Sequence, residues 1–237
     1  MSVNSNIELS IITPCYNPIK GWEQNYVSSY KSIKNMLHGI EIEWILVNDG
    51  SENNVDATNI DFLKQNITHF KYLSYNENKG KGFAVRYGAK HAQADKTIFT
   101  DIDFPYLDKD LKAVYELINQ ENDIIIGKRS ENYYDNISTN RKWISKQFKK
   151  LIKLLLNIPI TDTQAGIKGF NKNGKEILLK TTINRYLFDL ELVKIASKQK
   201  ANIVETEVSL KPNIVMPNMS TKILFSEFIN LLKIMLK

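Results

Sequence analysis

Cysteine is nearly absent. Cys15 stands alone in 237 residues, so no disulfide can form within the chain. Histidine is almost as scarce, and His38, His69 and His91 are scattered with none at metal-ligand spacing, which argues against a zinc centre. No run of eighteen apolar residues occurs, so no bilayer-spanning helix is predicted. The opening MSVNSNIELS is polar and too short for a signal peptide. These absences predict a cytoplasmic protein, soluble or peripheral on the inner face of a membrane. The sequons NIT, NIS and NMS then have no glycosylation role. No G-x-G-x-x-G follows the first apolar strand, where TPCYNP stands instead, and this excludes a nicotinamide-dinucleotide site. The lysines are dispersed and no nucleic-acid-binding motif is present, which excludes that class of partner.

What is present is an ordinary globular composition, 43% hydrophobic and 24% charged, enough for a substantial core. The formal net charge of +6 favours an anionic partner such as a nucleotide, a phosphate or an anionic membrane surface, although a Lys-, Asn- and Ile-rich composition accounts for it equally well. Short apolar runs alternate with helical patterns. ELSIITPCYN, IEWILVNDGS, HFKYLSY, KTIFTDID, DIIIGKRS and ANIVETEVSL read as strands. Helices are predicted from Trp22 to about Leu37, from Asn54 to Gln65, and over FAVRYGAKHAQ, LDKDLKAVYELINQ and LFDLELVKIASKQ. DTQAGIKGFNKNG reads as a turn, a short strand and another turn. The rhythm predicts an α/β fold with a mostly parallel, Rossmann-like sheet flanked by helices. Two segments, 141–157 and 220–237, are basic and amphipathic. The domain is expected to run from 1 to 218, with 219–237 a C-terminal amphipathic helix docked on it or on a membrane surface.

In an open α/β sheet, ligands bind beyond the carboxyl ends of the strands. Polar residues gather there: Tyr16 and Asn17, Asp49, Asn78 to Lys81, Asp101 and Asp103, and Lys128 with Arg129. In TIFTDIDFPY a buried strand runs into two carboxylates one residue apart. Alternate residues of a strand share a side, so the sequence predicts that Asp101 and Asp103 project together. Like charges that close repel unless a cation lies beside them. Magnesium and manganese prefer oxygen ligands, and magnesium is typically held by one or two carboxylates plus substrate phosphates. A solvated D-x-D in a turn is the alternative.

TPCYN, LVNDGS, NKGKG and the D-x-D at 101–103, in that order, resemble the family 2 glycosyltransferases of the GT-A fold. In the second half, GKRS, RKWIS, DTQAGIKGF and FDLEL resemble the polyprenyl-phosphate sugar transferases. KGFAVRYG and DTQAGIKGF are most similar to the dolichyl-phosphate β-glucosyltransferase branch. The resemblance implies a metal-dependent (Mg²⁺ or Mn²⁺), inverting hexosyltransferase acting from UDP-glucose onto polyprenyl phosphate. It implies that Asp49 contacts the nucleobase, with Pro14, Tyr16 and Asn17 lining that pocket, that Asp101 lies near the ribose and the metal, and that Asp103 binds the metal, which holds the donor diphosphate. Lys79, Lys81 and Arg86 would face the donor, or shape a helix-start loop. Lys128 or Arg129, with Arg141 and Ser145, would anchor phosphate, and Gln164 and Asp189 would line the sugar and acceptor side. Two departures stand out: Phe104, where the glucosyl branch has a small residue, and Pro105, where the mannosyl enzymes have a polar one.

The acceptor decides the remaining chemistry. A lipid phosphate is already anionic and needs positioning, which suits Arg129 and Arg141. A glycan hydroxyl must lose a proton, and Asp189 is then the candidate base. A capsular or lipopolysaccharide glycan is the alternative acceptor. A sugar-nucleotide-binding protein without turnover is the alternative of another class, against which the like-charged D-x-D argues.

Overall fold

The computed structural model describes residues 7–129, 160, 162–163, 165–212, 230–231 and 234. The basic segment 141–157, and with it Arg141 and Ser145, lies outside the described residues, as do Gln164 and most of 219–237.

Seven strands form one sheet: β1 (Leu9–Cys15), β2 (Ile42–Asp49), β3 (Phe70–Tyr75), β4 (Lys96–Thr100), β5 (Ile124–Arg129), β6 (Ile167–Phe170) and β7 (Ile203–Val208). Their order is β3-β2-β1-β4-β6-β5-β7. Every pairing is parallel except those of β6, which runs antiparallel between β4 and β5. The helices named among the described residues are α1 (Trp22–Met36), α2 (Ala57–Asn66), α3 (Lys81–His91), α4 (Asp108–Asn119), α5 (Lys172–Leu179) and α6 (Phe188–Lys198).

Period-2 alternation divides the strand side chains between two cores. Ile11, Trp44, Leu46, Ile98, Ile125 and Ile167 pack with α1, α2 and α4. Ile12, Ile45, Val47, Phe99, Ile126 and Phe170 pack with α3, α5 and α6. Both faces are therefore covered, which is why the strands read as nearly continuous apolar runs. Leu231 and Ile234 are buried on the α3–α5–α6 side, where Lys194 Nζ donates to the carbonyl of Ile234 at 2.5 Å. No helix among the described residues is long and apolar enough to cross a membrane.

Three local features differ from the sequence-based expectation. FNKNG, expected as a turn, begins α5, because the Asn171 side chain accepts from Gly174 N and caps the helix. The second helix starts at Ala57 rather than Asn54, behind a capping box in which Asp56 and Asn59 bond reciprocally. Strand β4 ends at Thr100, so Asp101 and Asp103 do not alternate along a strand. They lie in a turn closed by Phe104 N donating to Asp101 O at 3.0 Å.

Candidate active site

The carboxyl ends of β1, β2 and β4 and the start of α3 meet on one side of the sheet. At the β2 exit, Asp49 is 3% exposed and its carboxylate is spent on the β3–α3 loop. Oδ1 accepts from Lys79 N at 2.7 Å, and Oδ2 accepts from Gly80 N at 2.9 Å and Asn78 Nδ2 at 3.0 Å. Asp49, which the family resemblance implied would contact the nucleobase, has a structural role here: it pins NKG against the sheet. Asn17 does likewise at the β1 exit, accepting from Glu52 N and Asn53 N, while Tyr16 remains exposed on the rim. Asp49→Ala leaves buried amides without an acceptor. It is expected to cost about 3 kcal/mol, since bonds to a charged acceptor count most, and a urea melt against the wild type measures it.

Gly80 leads into α3 with φ of +99°, and a Cβ there would lie 2.5 Å from Asn184 O. Only glycine permits both the left-handed backbone and this contact. The contact docks the loop 181–187 against the start of α3, and two charged residues hold that loop. Arg86 donates to Thr181 Oγ1 at 3.1 Å, to Ile183 O at 2.8 Å and to Asn184 Oδ1. Glu191 accepts from Thr182 N and Ile183 N, both at 2.8 Å. Arg86, expected to face the donor, therefore spends its guanidinium on the loop. Lys79 lays its ammonium over the rings of Tyr75 and Phe83, at 5.4 and 5.0 Å.

Lys81 does face the acid pair, with its Nζ 2.5 Å from Asp101 Oδ1. Burial works against its charge, but Asp101 and then Asp189 outweigh that and raise its pKa. Asp103 is the more open acid. Partial burial of its carboxyl, reinforced by the charge of Asp101, moves its pKa upward, against the pull of Lys81 and Lys211. The departures at Phe104 and Pro105 now have a physical reading. Phe104, at φ of +44°, turns its ring out of the crevice into the aromatic core, 5.2 Å edge-on from Tyr26 and beside Trp44. The Pro105 carbonyl accepts from Lys211 N at 2.8 Å. A large residue after the acid pair thus takes no room from a ligand.

At the β5 exit the guanidinium of Arg129 forms a bidentate pair with Asp162, Nε to Oδ2 at 2.7 Å and Nη2 to Oδ1 at 2.8 Å. The expected phosphate anchor is therefore matched to a carboxylate in DTQAG that the sequence pattern did not single out. Lys128, the neighbouring strand residue, is half-buried. Asp189, at the start of α6, is buried, and its Oδ1 lies 3.0 Å from the Nζ of Lys168 on β6. Cys15 is also buried, and burial pushes its thiol up to about 12, which leaves it without nucleophilic character.

A mostly parallel sheet with one antiparallel strand wedged in it, carrying two carboxylates in a turn at a strand end and a cationic helix start facing them, is the arrangement of the GT-A fold. The chain belongs to glycosyl transferase family 2, whose family model matches residues 10–177. It is 30% identical over 221 residues to the dolichyl-phosphate beta-glucosyltransferase of Drosophila melanogaster, covering 86% of this chain and 67% of that one. It is 28% identical over 218 residues to such an enzyme from Trichomonas vaginalis, covering 86% and 66%. The chain thus spans about two thirds of the length of these relatives. Among solved structures, the glucosyl-3-phosphoglycerate synthase of Mycobacterium tuberculosis, in complex with Mn²⁺ and UDP-glucose, superposes with a TM-score of 0.68. That match covers 97% of this chain and 78% of the other at 13% identity, a likeness of fold.

Proposed function

We propose that this protein transfers glucose from UDP-glucose to a polyprenyl phosphate with inversion at the anomeric carbon, and that Asp101 and Asp103 hold a divalent cation. Similarity to the dolichyl-phosphate beta-glucosyltransferases supports the glucose and the lipid phosphate. The donor set supports the cation. Among the described residues no cluster of three His, Cys, Asp or Glu side chains is arranged to hold a metal. Two carboxylates alone suit a hard cation that completes its shell with phosphate oxygens and water. A Mg²⁺ or Mn²⁺ bound there would supply Lewis-acid neutralisation of the diphosphate leaving group.

The chain's own residues do the rest. Tyr16, Pro14 and Asn17 would line the nucleobase pocket beside the loop that Asp49 fixes. Lys81 would add positive charge beside the diphosphate, and Lys79, stacked on Tyr75 and Phe83, stands at the loop edge. Gln164, with Asp189, would line the sugar. Lys128 with Arg141 and Ser145 would receive the acceptor phosphate, while Arg129 stiffens the β5 exit through Asp162.

The observation that carries a phosphate acceptor is the state of Asp189. It is 5% exposed and sits against an ammonium, so it is poorly placed to take a proton from a sugar hydroxyl. Asp49 is committed to backbone amides, and Asp101 to Lys81. An acceptor that arrives already ionised needs no base. The amphipathic segment 141–157 is proposed to hold the enzyme at the membrane face where such a lipid lies, whereas the tail docks on the domain through Leu231 and Ile234.

Labelled UDP-glucose, short-chain polyprenyl phosphate and Mg²⁺ or Mn²⁺ are expected to give label in the organic phase, lost on adding EDTA and restored by excess metal. A metal-dependent, lipid-free transfer to a glycan would move the acceptor to a hydroxyl. Label that persists in EDTA would remove the cation from the mechanism.

A further inference from the structure

Strand β6 is covered on both faces, yet its second residue is a lysine. Lys168 pairs in register with Phe99 on β4 and Ile126 on β5, and it is 0% exposed. Its ammonium donates to Ala165 O at 2.8 Å and lies 3.0 Å from Asp189 Oδ1 and 5.2 Å from the Phe99 ring centroid. Lys81, from α3, lies 5.7 Å from the same ring and pairs with Asp101. Two ion pairs, Lys168 with Asp189 and Lys81 with Asp101, thus lie side by side with both ammoniums over one phenylalanine. Burial pushes the Lys168 pKa down and the Asp189 pKa up, and each opposes the other's shift. A methionine would fill the space of Lys168 without the desolvation cost, so packing alone does not call for an ammonium here. What methionine cannot do is hold the charge of Asp189.

We propose that Lys168 is a positioning residue of this active site: from beneath the strand ends it fixes the Asp189 carboxylate and thereby leaves Lys81 to Asp101. Without Lys168, Lys81 is the next cation acting on the buried Asp189 among the described residues, and it is drawn away from the acid pair. Lys168 touches neither substrate nor metal, and its influence passes through Asp189 and then Lys81. The inference rests on the reading of this crevice as the donor site.

The test is a cycle of Lys168→Met, Asp189→Asn and the double variant in the full chain, with two readouts. The first is Mn²⁺ binding in the presence of UDP, followed by the electron paramagnetic resonance of free Mn²⁺. Lys168→Met is expected to tighten Mn²⁺ at least fivefold, because Asp101 loses its competing ammonium. Asp189→Asn is expected to weaken it, and the double variant to return within twofold of the wild type. The second readout is sugar transfer. In Lys168→Met, kcat is expected to fall about a hundredfold with the KM for UDP-glucose within threefold, a split that a mere loss of packing would not give. The double variant is expected to transfer no more slowly than Asp189→Asn alone. Unchanged Mn²⁺ affinity, or a wild-type kcat, in a Lys168→Met protein shown to be folded by thermal melting overturns the proposal. Should Lys168→Met fail to fold, a further tenfold loss of transfer in the double variant relative to Asp189→Asn overturns it equally. If the wild type binds Mn²⁺ and UDP yet labels no lipid, the acceptor assignment falls and the Mn²⁺ cycle still decides the role of Lys168. If it binds neither, both readings fall.

Discussion

Replacing Asp103 by alanine is expected to lower glucose transfer roughly a thousandfold, equivalent to about 4 kcal/mol of lost transition-state stabilisation. The reasoning is electrostatic. The departing diphosphate gains charge as the glycosidic bond breaks, and preorganised positive charge in a water-poor crevice is the strongest aid available to it. Lys81 supplies one cationic charge but is bound to Asp101. A divalent ion needs both acids, and Asp103 is the one without an ammonium within ion-pairing distance among the described residues. Stability should change little, because Asp103 is exposed and releasing it from Asp101 relieves a like-charge contact. Rates of label transfer, with a thermal melt as control, check both halves. A variant within tenfold of wild type would remove Asp103 from the metal site.

Gly166→Ala is expected to be nearly as damaging, from the opposite direction. A Cβ at Gly166 would stand 2.0 Å from Asp101 Oδ2, which no packing tolerates. The backbone cannot retreat easily, because Gly166 N donates to the buried Tyr106 hydroxyl at 2.9 Å and the next residue enters β6. The carboxylate must therefore swing away and surrender its place against Lys81. Overpacking of this kind costs about 1–3 kcal/mol of stability. Displacing a catalytic group by about 1 Å can cost on the order of a hundredfold in rate. Mn²⁺ binding with UDP should weaken in parallel. Unaltered metal binding in Gly166→Ala would mean that Asp101 is not a ligand.

The sheet and its ligand-bearing edge were legible because strands covered on both faces must be apolar throughout, so their ends are marked wherever polarity returns. IEWILVND and KTIFT show this plainly, all eight residues of β2 being buried. The polar exits follow from position, whereas Lys81 was placed at the donor only by the family resemblance and the acid pair turned out to lie in a turn rather than along a strand. Local capping was harder to see. Asn171 in FNKNG has the composition of a turn, and only its side-chain bond to Gly174 N makes it a helix start. Which partner a charge takes was not legible at all. Asp49, Arg86 and Arg129 stand where a ligand would be met, but sequence cannot reveal that amides at 79–80, a loop at 181–184 and Asp162 reach them first. One signal was available for Lys168. A lysine in the middle of AGIKGF, a stretch otherwise free of charge, demands a counter-ion, and FDLEL offers one.

Phe104 ties the acid turn to the core. Its ring is keyed between Tyr26 and Trp44, residues of α1 and β2, so the backbone that carries Asp101 and Asp103 belongs to the same cooperative unit as the sheet. Many catalytic loops are drawn from the least stable parts of a protein and open on their own. Here the acid turn cannot loosen without unseating an aromatic cluster. Loss of activity on heating is therefore expected to follow the melt of the sheet rather than to precede it.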